Sequence, residues 1–231
     1  MRIGLLVCDH VRDELLPIEG DYADMFRDLV GREGVEVEAF DVVEGELTDD
    51  LDSMDGWIIT GSKWSVFDEE PWIQHLADLT RRLVDEHHKV VGVCFGHQML
   101  AHALGGEVRR SERGWGVGVR QVAIEEAPDW MGGHNGSFKV LHSHQDQVET
   151  LPPDGRTLAS TEHCPISMLA IGDNAWGIQG HPEYSREYSR AALEFRRDRV
   201  IPGPLVDEAL ATFDEAPDRD LIADWIVRFF G

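Results

Sequence analysis

Lysine is nearly missing from this 231-residue chain: Lys63, Lys89 and Lys139 are the only three, and arginine supplies the rest of 21 basic side chains against 44 acidic ones. The resulting net charge of −23 repels phosphate backbones and anionic lipid headgroups, which argues against nucleic-acid and membrane-surface binding. So acidic a surface fits either a salt-rich habitat or an ordinary means of keeping molecules soluble and apart. Cysteine is also sparse, and the odd number of three points to reduced thiols and a cytoplasmic setting, with no disulfide framework. No apolar run approaches the roughly 18 residues of a membrane span, and Asp9 and Asp13 interrupt the start before a signal-peptide core could form. Internal repeats, low-complexity tracts and a G-x-x-x-x-G-K-[ST] phosphate loop are absent, as are H-E-x-x-H and C-x-x-C spacings, so no metal or cofactor is expected. With no linker long enough to divide the chain, one domain over 1–231 is expected, with a helical tail from about 205 to 231.

What remains is an alternation of short apolar runs and helical spacing. Arg2–Cys8, Val35–Phe40, Trp57–Thr60, Lys89–Val93 and Trp176–Gln179 have strand length and composition. Helical periodicity places helices over Asp24–Val30, Trp72–Glu86, Gln98–Leu104 and Arg186–Arg197, and two more between Leu205 and Phe230 with a break near Pro217. Strands alternating with helices predict an α/β fold, a three-layer sandwich around a mostly parallel sheet. Between Gly106 and Trp176 the pattern turns to short extended pieces, Val117–Ile124, Phe138–Leu141 and Met168–Ile171, read as a small antiparallel extension, with 132–136 as a loop.

The strongest chemical signal is Gly92-Val93-Cys94-Phe95-Gly96-His97-Gln98, a G-x-C-x-G pattern between a predicted strand and a predicted helix. This is a nucleophile elbow with cysteine in the serine position. A helix N-terminus directed at the sulfur favours a thiolate; the bland alternative is a small buried residue in a glycine-rich turn. Gln179-Gly180-His181-Pro182-Glu183 places a base and a carboxylate after a second buried strand. Cys94 would attack, His181 would carry the proton and Glu183 would orient the imidazole, although alone this segment also reads as a helix-initiating turn. Thr60-Gly61-Ser62-Lys63, after a third strand, would offer a backbone N–H to an oxyanion beside that of Phe95.

These three segments, with Leu104-Gly105-Gly106 and Ser143-His144-Gln145-Asp146-Gln147-Val148, resemble the class I, triad-type glutamine amidotransferases, most closely the glutaminase domain of GMP synthases, over most of 1–200. The resemblance implies a flavodoxin-like α/β fold. It also implies a Cys94, His181, Glu183 triad, an oxyanion hole at Gly61, Ser62 and Phe95, and a pocket in which Gln98, Ser143, His144 and Gln145 hold the α-amino and carboxylate groups of glutamine. Two positions depart from the family: Gly61-Ser62-Lys63 stands where Gly-Gly-Pro or Asn-Gly-Pro is usual, and Gly180 where phenylalanine is common. The residues beyond 200 are too few to be expected to supply an ATP-binding synthetase half. The chain is therefore expected to hydrolyse a γ-glutamyl amide through a thioester, with glutamine as the first substrate and ammonia passed to a separate synthetase subunit. The alternatives are a γ-glutamyl peptidase or amine hydrolase and, in another class, a catalytically silent regulatory subunit.

Around this centre, Gly20–Phe26 resembles stand-alone members that act as γ-glutamyl peptidases. Asp21 and Tyr22 are thus candidates for substrate contact, or Asp21 a plain helix cap. Trp64, Phe67 and Trp72 read as an aromatic wall or as core anchors. Cys8 and Cys164 read as structural, the scattered histidines (His87, His88, His134, His142, His144, His163) as surface or hydrogen-bonded residues, and Asp49-Asp50 and Asp68-Glu69-Glu70 as solvated surface.

Overall fold

The computed structural model describes residues 1–48 and 50–231, so Asp49 of the acidic run lies outside the described residues. In chain order its strands are β1 (Arg2–Val7), β2 (Glu36–Asp41), β3 (Gly56–Ile59), β4 (Val90–Val93), β5 (Glu107–Arg110), β6 (Gly116–Ile124), β7 (Ser137–His144), β8 (Asp146–Thr150), β9 (Gly155–Ser160), β10 (Met168–Ile171) and β11 (Ala175–Ile178). The α-helices are α1 (Leu16–Glu19), α2 (Tyr22–Val30), α3 (Pro71–Asp85), α4 (Phe95–Ala103), α5 (Arg186–Arg196), α6 (Gly203–Ala211) and α7 (Arg219–Phe230).

Nine strands form one mixed sheet in the order β2-β1-β3-β4-β11-β10-β9-β6-β7, with β5 and β8 paired separately. The first five run parallel and the rest pair antiparallel. The fold is α/β, and the antiparallel extension is a continuation of the parallel sheet. Alternation along the strands sorts the core into two faces. Ile3, Leu5, Val7 and Ile58 meet Phe26 and Leu29 of α2 and Ile222, Trp225 and Phe229 of α7. Leu6, Trp57 and Ile59 meet Ile73, Leu76 and Leu83 of α3 and Met99 and Leu100 of α4.

A third buried cluster joins α5 and α6 to Val117, Val119 and Leu141 of β6 and β7. There the sheet turns back on itself, because Leu141 of β7 forms a bridge with His181, just beyond β11. The carboxyl ends of β1, β3, β4 and β11 open at one edge, and this closure carries the end of β7 to the same edge. In open α/β sheets that edge is where ligands bind. Among the described residues no helix is long and apolar enough to cross a membrane.

Candidate active site

Cys94 follows β4 directly and serves as N-cap of α4, with φ 52° and ψ −100°. Side chains rarely adopt this left-handed φ, and such strain persists only where the surroundings fix it. Here they do: the Cys94 N–H donates to Ile178 O at 2.8 Å, Gly96 N–H to Thr60 O at 3.1 Å and Gln98 N–H to Cys94 O at 3.1 Å. A Cβ on Gly96 would collide with the Ile59 carbonyl, so the elbow packs against β3 only with glycine at that position. The helix starts at Phe95, three residues earlier than its apolar spacing predicts, because the elbow itself forms its first turn.

His181 is buried and held on three sides. Its Nδ1 meets Glu183 Oε1 at 2.7 Å, its backbone N–H donates to Leu141 O at 2.7 Å, and its ring lies flat on Tyr184, with centroids 4.1 Å apart and planes 4° apart. Burial alone would lower the imidazole pKa, but the neighbouring Cys94 and Glu183 together outweigh it and push it from 6.5 up to about 10. Glu183 is wholly buried, and its Oε2 has no partner among the described residues.

The turn after β3 is tied to the end of β1. Ser62 Oγ donates to Cys8 O at 2.9 Å, and Asp9 accepts from the Lys63 backbone N–H at 3.0 Å and from Lys63 Nζ at 2.6 Å. Lysine at the family's proline position thus supplies a lock of its own. The backbone N–H groups of Ser62 and Phe95 donate to no acceptor among the described residues, which leaves both free for a ligand oxygen. Gly61 faces the His181 ring: a methyl there would sit 3.0 Å from His181 Cε1.

Gln98 is buried, and its amide nitrogen is engaged, at 2.8 Å from Asp146 O and 3.1 Å from Gln179 Oε1. Gln179 in turn donates from Nε2 to Cys94 Sγ at 3.6 Å. No motif announces this contact, although Gln179 lies only two residues before His181 in the same segment after β11. Ser143, His144 and Gln145 line the same cavity as Cys94, Ser62 and Gln98. His144 Nδ1 lies 3.2 Å from Asp146 O and must donate to it, leaving Nε2 to accept from His142 Nδ1 at 3.0 Å. Burial holds His144 well below the usual imidazole range and His142 down to about 3, so both rings are neutral.

The cavity measures about 810 Å³. Tyr22 lines it while Asp21 caps α2 through a reciprocal capping box. The aromatic wall reduces to Trp64, since Trp72 is buried against Phe95 and Phe67 is exposed. Cys8 and Cys164 are buried, and desolvation raises each thiol to about 12.

A family model for glutamine amidotransferase class-I matches residues 20–197. The chain belongs to this family. It is 35% identical to γ-glutamyl peptidase 3 of Arabidopsis thaliana over 87% of this chain and 85% of that protein. It is also 30% identical to a glutamine-hydrolyzing GMP synthase subunit of Sulfolobus acidocaldarius over 64% of this chain and 77% of that one. A crystal structure of a Thermotoga maritima glutamine amidotransferase superposes with a TM-score of 0.77 at 20% identity, covering 99% of this chain and 98% of the other. The protein is an enzyme of the hydrolase and amidotransferase type.

Proposed function

We propose that the protein hydrolyses γ-glutamyl amides with a cysteine nucleophile and prefers larger γ-glutamyl compounds to glutamine. Cys94 Sγ adds to the γ-carbonyl carbon, and the backbone N–H groups of Ser62 and Phe95, beside Gly61, receive the oxyanion. The C–N bond breaks as His181 gives its proton to the departing amine. Water then adds to the γ-glutamyl thioester with His181 as base, releasing glutamate, freeing the Cys94 sulfur and returning the proton to His181. Glu183 holds the imidazole in register. The Ser143-His144-Gln145 segment binds the glutamyl head group, and Gln98 acts by holding Gln179 against the sulfur. The reaction is assigned to one unit over 1–231, and the packing of tail helix α7 across α2 supports that reading.

The observation that carries the proposal is the cavity at Cys94. At about 810 Å³ it belongs among pockets that enclose drug-sized ligands, and glutamine alone would leave most of it empty. The γ-glutamyl peptidase relatives point the same way. The GMP synthase relative favours a second reading, a glutaminase that feeds ammonia to a separate synthetase.

A hydrolysis panel separates the two. Purified protein and its Cys94→Ser variant are incubated with glutamine, γ-glutamyl peptides and γ-glutamyl amines, and glutamate release is followed. Faster turnover of the larger compounds, lost in the variant, is expected. Turnover of glutamine ahead of all others would overturn the preference and direct attention to a synthetase partner.

A further inference from the structure

Arg12, Lys63, Arg110, Arg196 and Arg199 line the cavity against only two carboxylates, Asp9 and Asp146. This reverses, at one place, the sign of a chain that carries −23 overall. Both carboxylates are already engaged: Asp9 by Lys63 Nζ at 2.6 Å and Asp146 by Arg110 Nε at 3.3 Å. Arg12, Arg196 and Arg199 pair with no carboxylate among the described residues. They are nevertheless held in place. Arg12 and Arg199 lie over the Phe195 ring at 4.9 and 4.4 Å, and Arg196 Nη1 donates to Ser143 Oγ at 2.8 Å. A guanidinium stacked on an aromatic ring keeps its N–H edge available, and each has five donors, of which Arg196 uses one on Ser143 and Arg199 one on Phe195 O.

We propose that Arg12, Arg196 and Arg199 form a carboxylate subsite for the leaving group, so that the favoured substrates are γ-glutamyl peptides with a free terminal carboxylate over γ-glutamyl derivatives of uncharged amines. The inference rests on the hydrolase reading of the same cavity. The glutamyl head group carries one carboxylate balanced by its own ammonium, which cannot satisfy three unpaired guanidiniums. A second carboxylate on the departing peptide matches the fork geometry and charge of the cluster. It also answers an electrostatic problem, since an acidic surface repels an anionic substrate and a local cationic cleft concentrates it.

The test compares γ-glutamylglycine with its C-terminal amide, a pair equal in size and differing in charge. Values of kcat/KM are measured for the wild type, for Arg12→Gln/Arg199→Gln, and for Arg190→Gln, an exposed residue of α5 that lies over Phe213 outside the cavity. The wild type and the Arg190 variant are expected to favour the acid by roughly tenfold, and the double variant to fall within about twofold. An equal wild-type rate on acid and amide, or a preference surviving in the double variant, overturns the subsite. Calorimetric titration of both ligands into Cys94→Ser, with and without the two arginine substitutions, reads the same preference as affinity. Should only glutamine be turned over, the hydrolase reading fails, and the titration still decides the subsite: tighter binding of the acid, lost with the arginines, supports it, and equal binding overturns it.

Discussion

Replacing Gly61 with alanine should leave a folded protein that turns over poorly. The added methyl would lie 3.0 Å from His181 Cε1 and 3.7 Å from Cys94 Cβ, and the first is at least half an ångström inside ordinary carbon contact. His181 has little room to yield, being stacked on Tyr184, bonded to Glu183 and fixed by its backbone to Leu141. The displacement therefore falls on the imidazole or on the Gly61-Ser62 turn, and either shift misplaces a reacting group by a few tenths of an ångström or more. Misplacement of about 1 Å costs on the order of 10²-fold in rate, so kcat should drop ten- to a hundredfold. Gly61 does not occupy a left-handed φ, so the cost to folding is overpacking of roughly 1 kcal/mol, about 2–4 °C in Tm for a chain this long. Gly96→Ala supplies the contrast, because its methyl would strike the backbone of β3 and should disrupt the fold. Glutamate release and differential scanning calorimetry on both variants test the pair. A Gly61→Ala enzyme with wild-type kcat/KM would refute the placement of this turn against the imidazole.

Iodoacetamide should modify Cys94 well before Cys8 and Cys164, since Cys94 lines the cavity while the other two are buried thiols raised to about 12; peptide mapping at partial labelling reads the order, and equal rates would contradict it. Gln179→Met should slow that labelling roughly fivefold by removing the donor to the sulfur, with the far-ultraviolet dichroism unchanged. His181 should remain an imidazolium through neutral pH, because its pKa rises from 6.5 to about 10. A raised histidine pKa contributes stability that is complete below about pH 6.5 and is lost as pH climbs toward 10. The wild-type Tm should therefore fall over that interval, and fall less in Glu183→Gln, with the His181 Cε1 proton resonance in NMR titrating at lower pH in the variant.

The parallel half of the fold is legible because its strands are buried on both sides and read as continuous apolar runs, as in Trp57-Ile58-Ile59 and Val90-Val91-Gly92-Val93. Strands β5, β8 and β9 are hidden for the opposite reason. Glu107-Val108-Arg109-Arg110 is largely exposed, and what makes it a strand is its pairing with β8, about forty residues later. The bridge from Leu141 to His181 is likewise a long-range event that no local pattern announces. It explains how Ser143 and His144, at the end of a strand last in the sheet order, and Gln145 just beyond them line the cavity beside Cys94.

The site divides along the same line between what neighbouring residues encode and what distant ones supply. Cys94 and His181 follow β4 and β11, two adjacent parallel strands whose Val93 and Ile178 are in register, so two local motifs are enough to bring them together. The locks are not local: Lys63 on Asp9, Gln179 on Cys94 and Arg196 on Ser143 each join segments more than fifty residues apart. Charge shows the limit most clearly. A total of −23 describes the field that a large polyanion meets and argues against such partners, but a small anion entering the cleft meets the side chains that line it. Three of those are arginines without a carboxylate partner among the described residues, drawn from the loop after β1, the last residue of α5 and the turn that follows it. Composition averages over the segregation that the fold creates, so the same acidic chain can repel nucleic acid and still recognise a carboxylate.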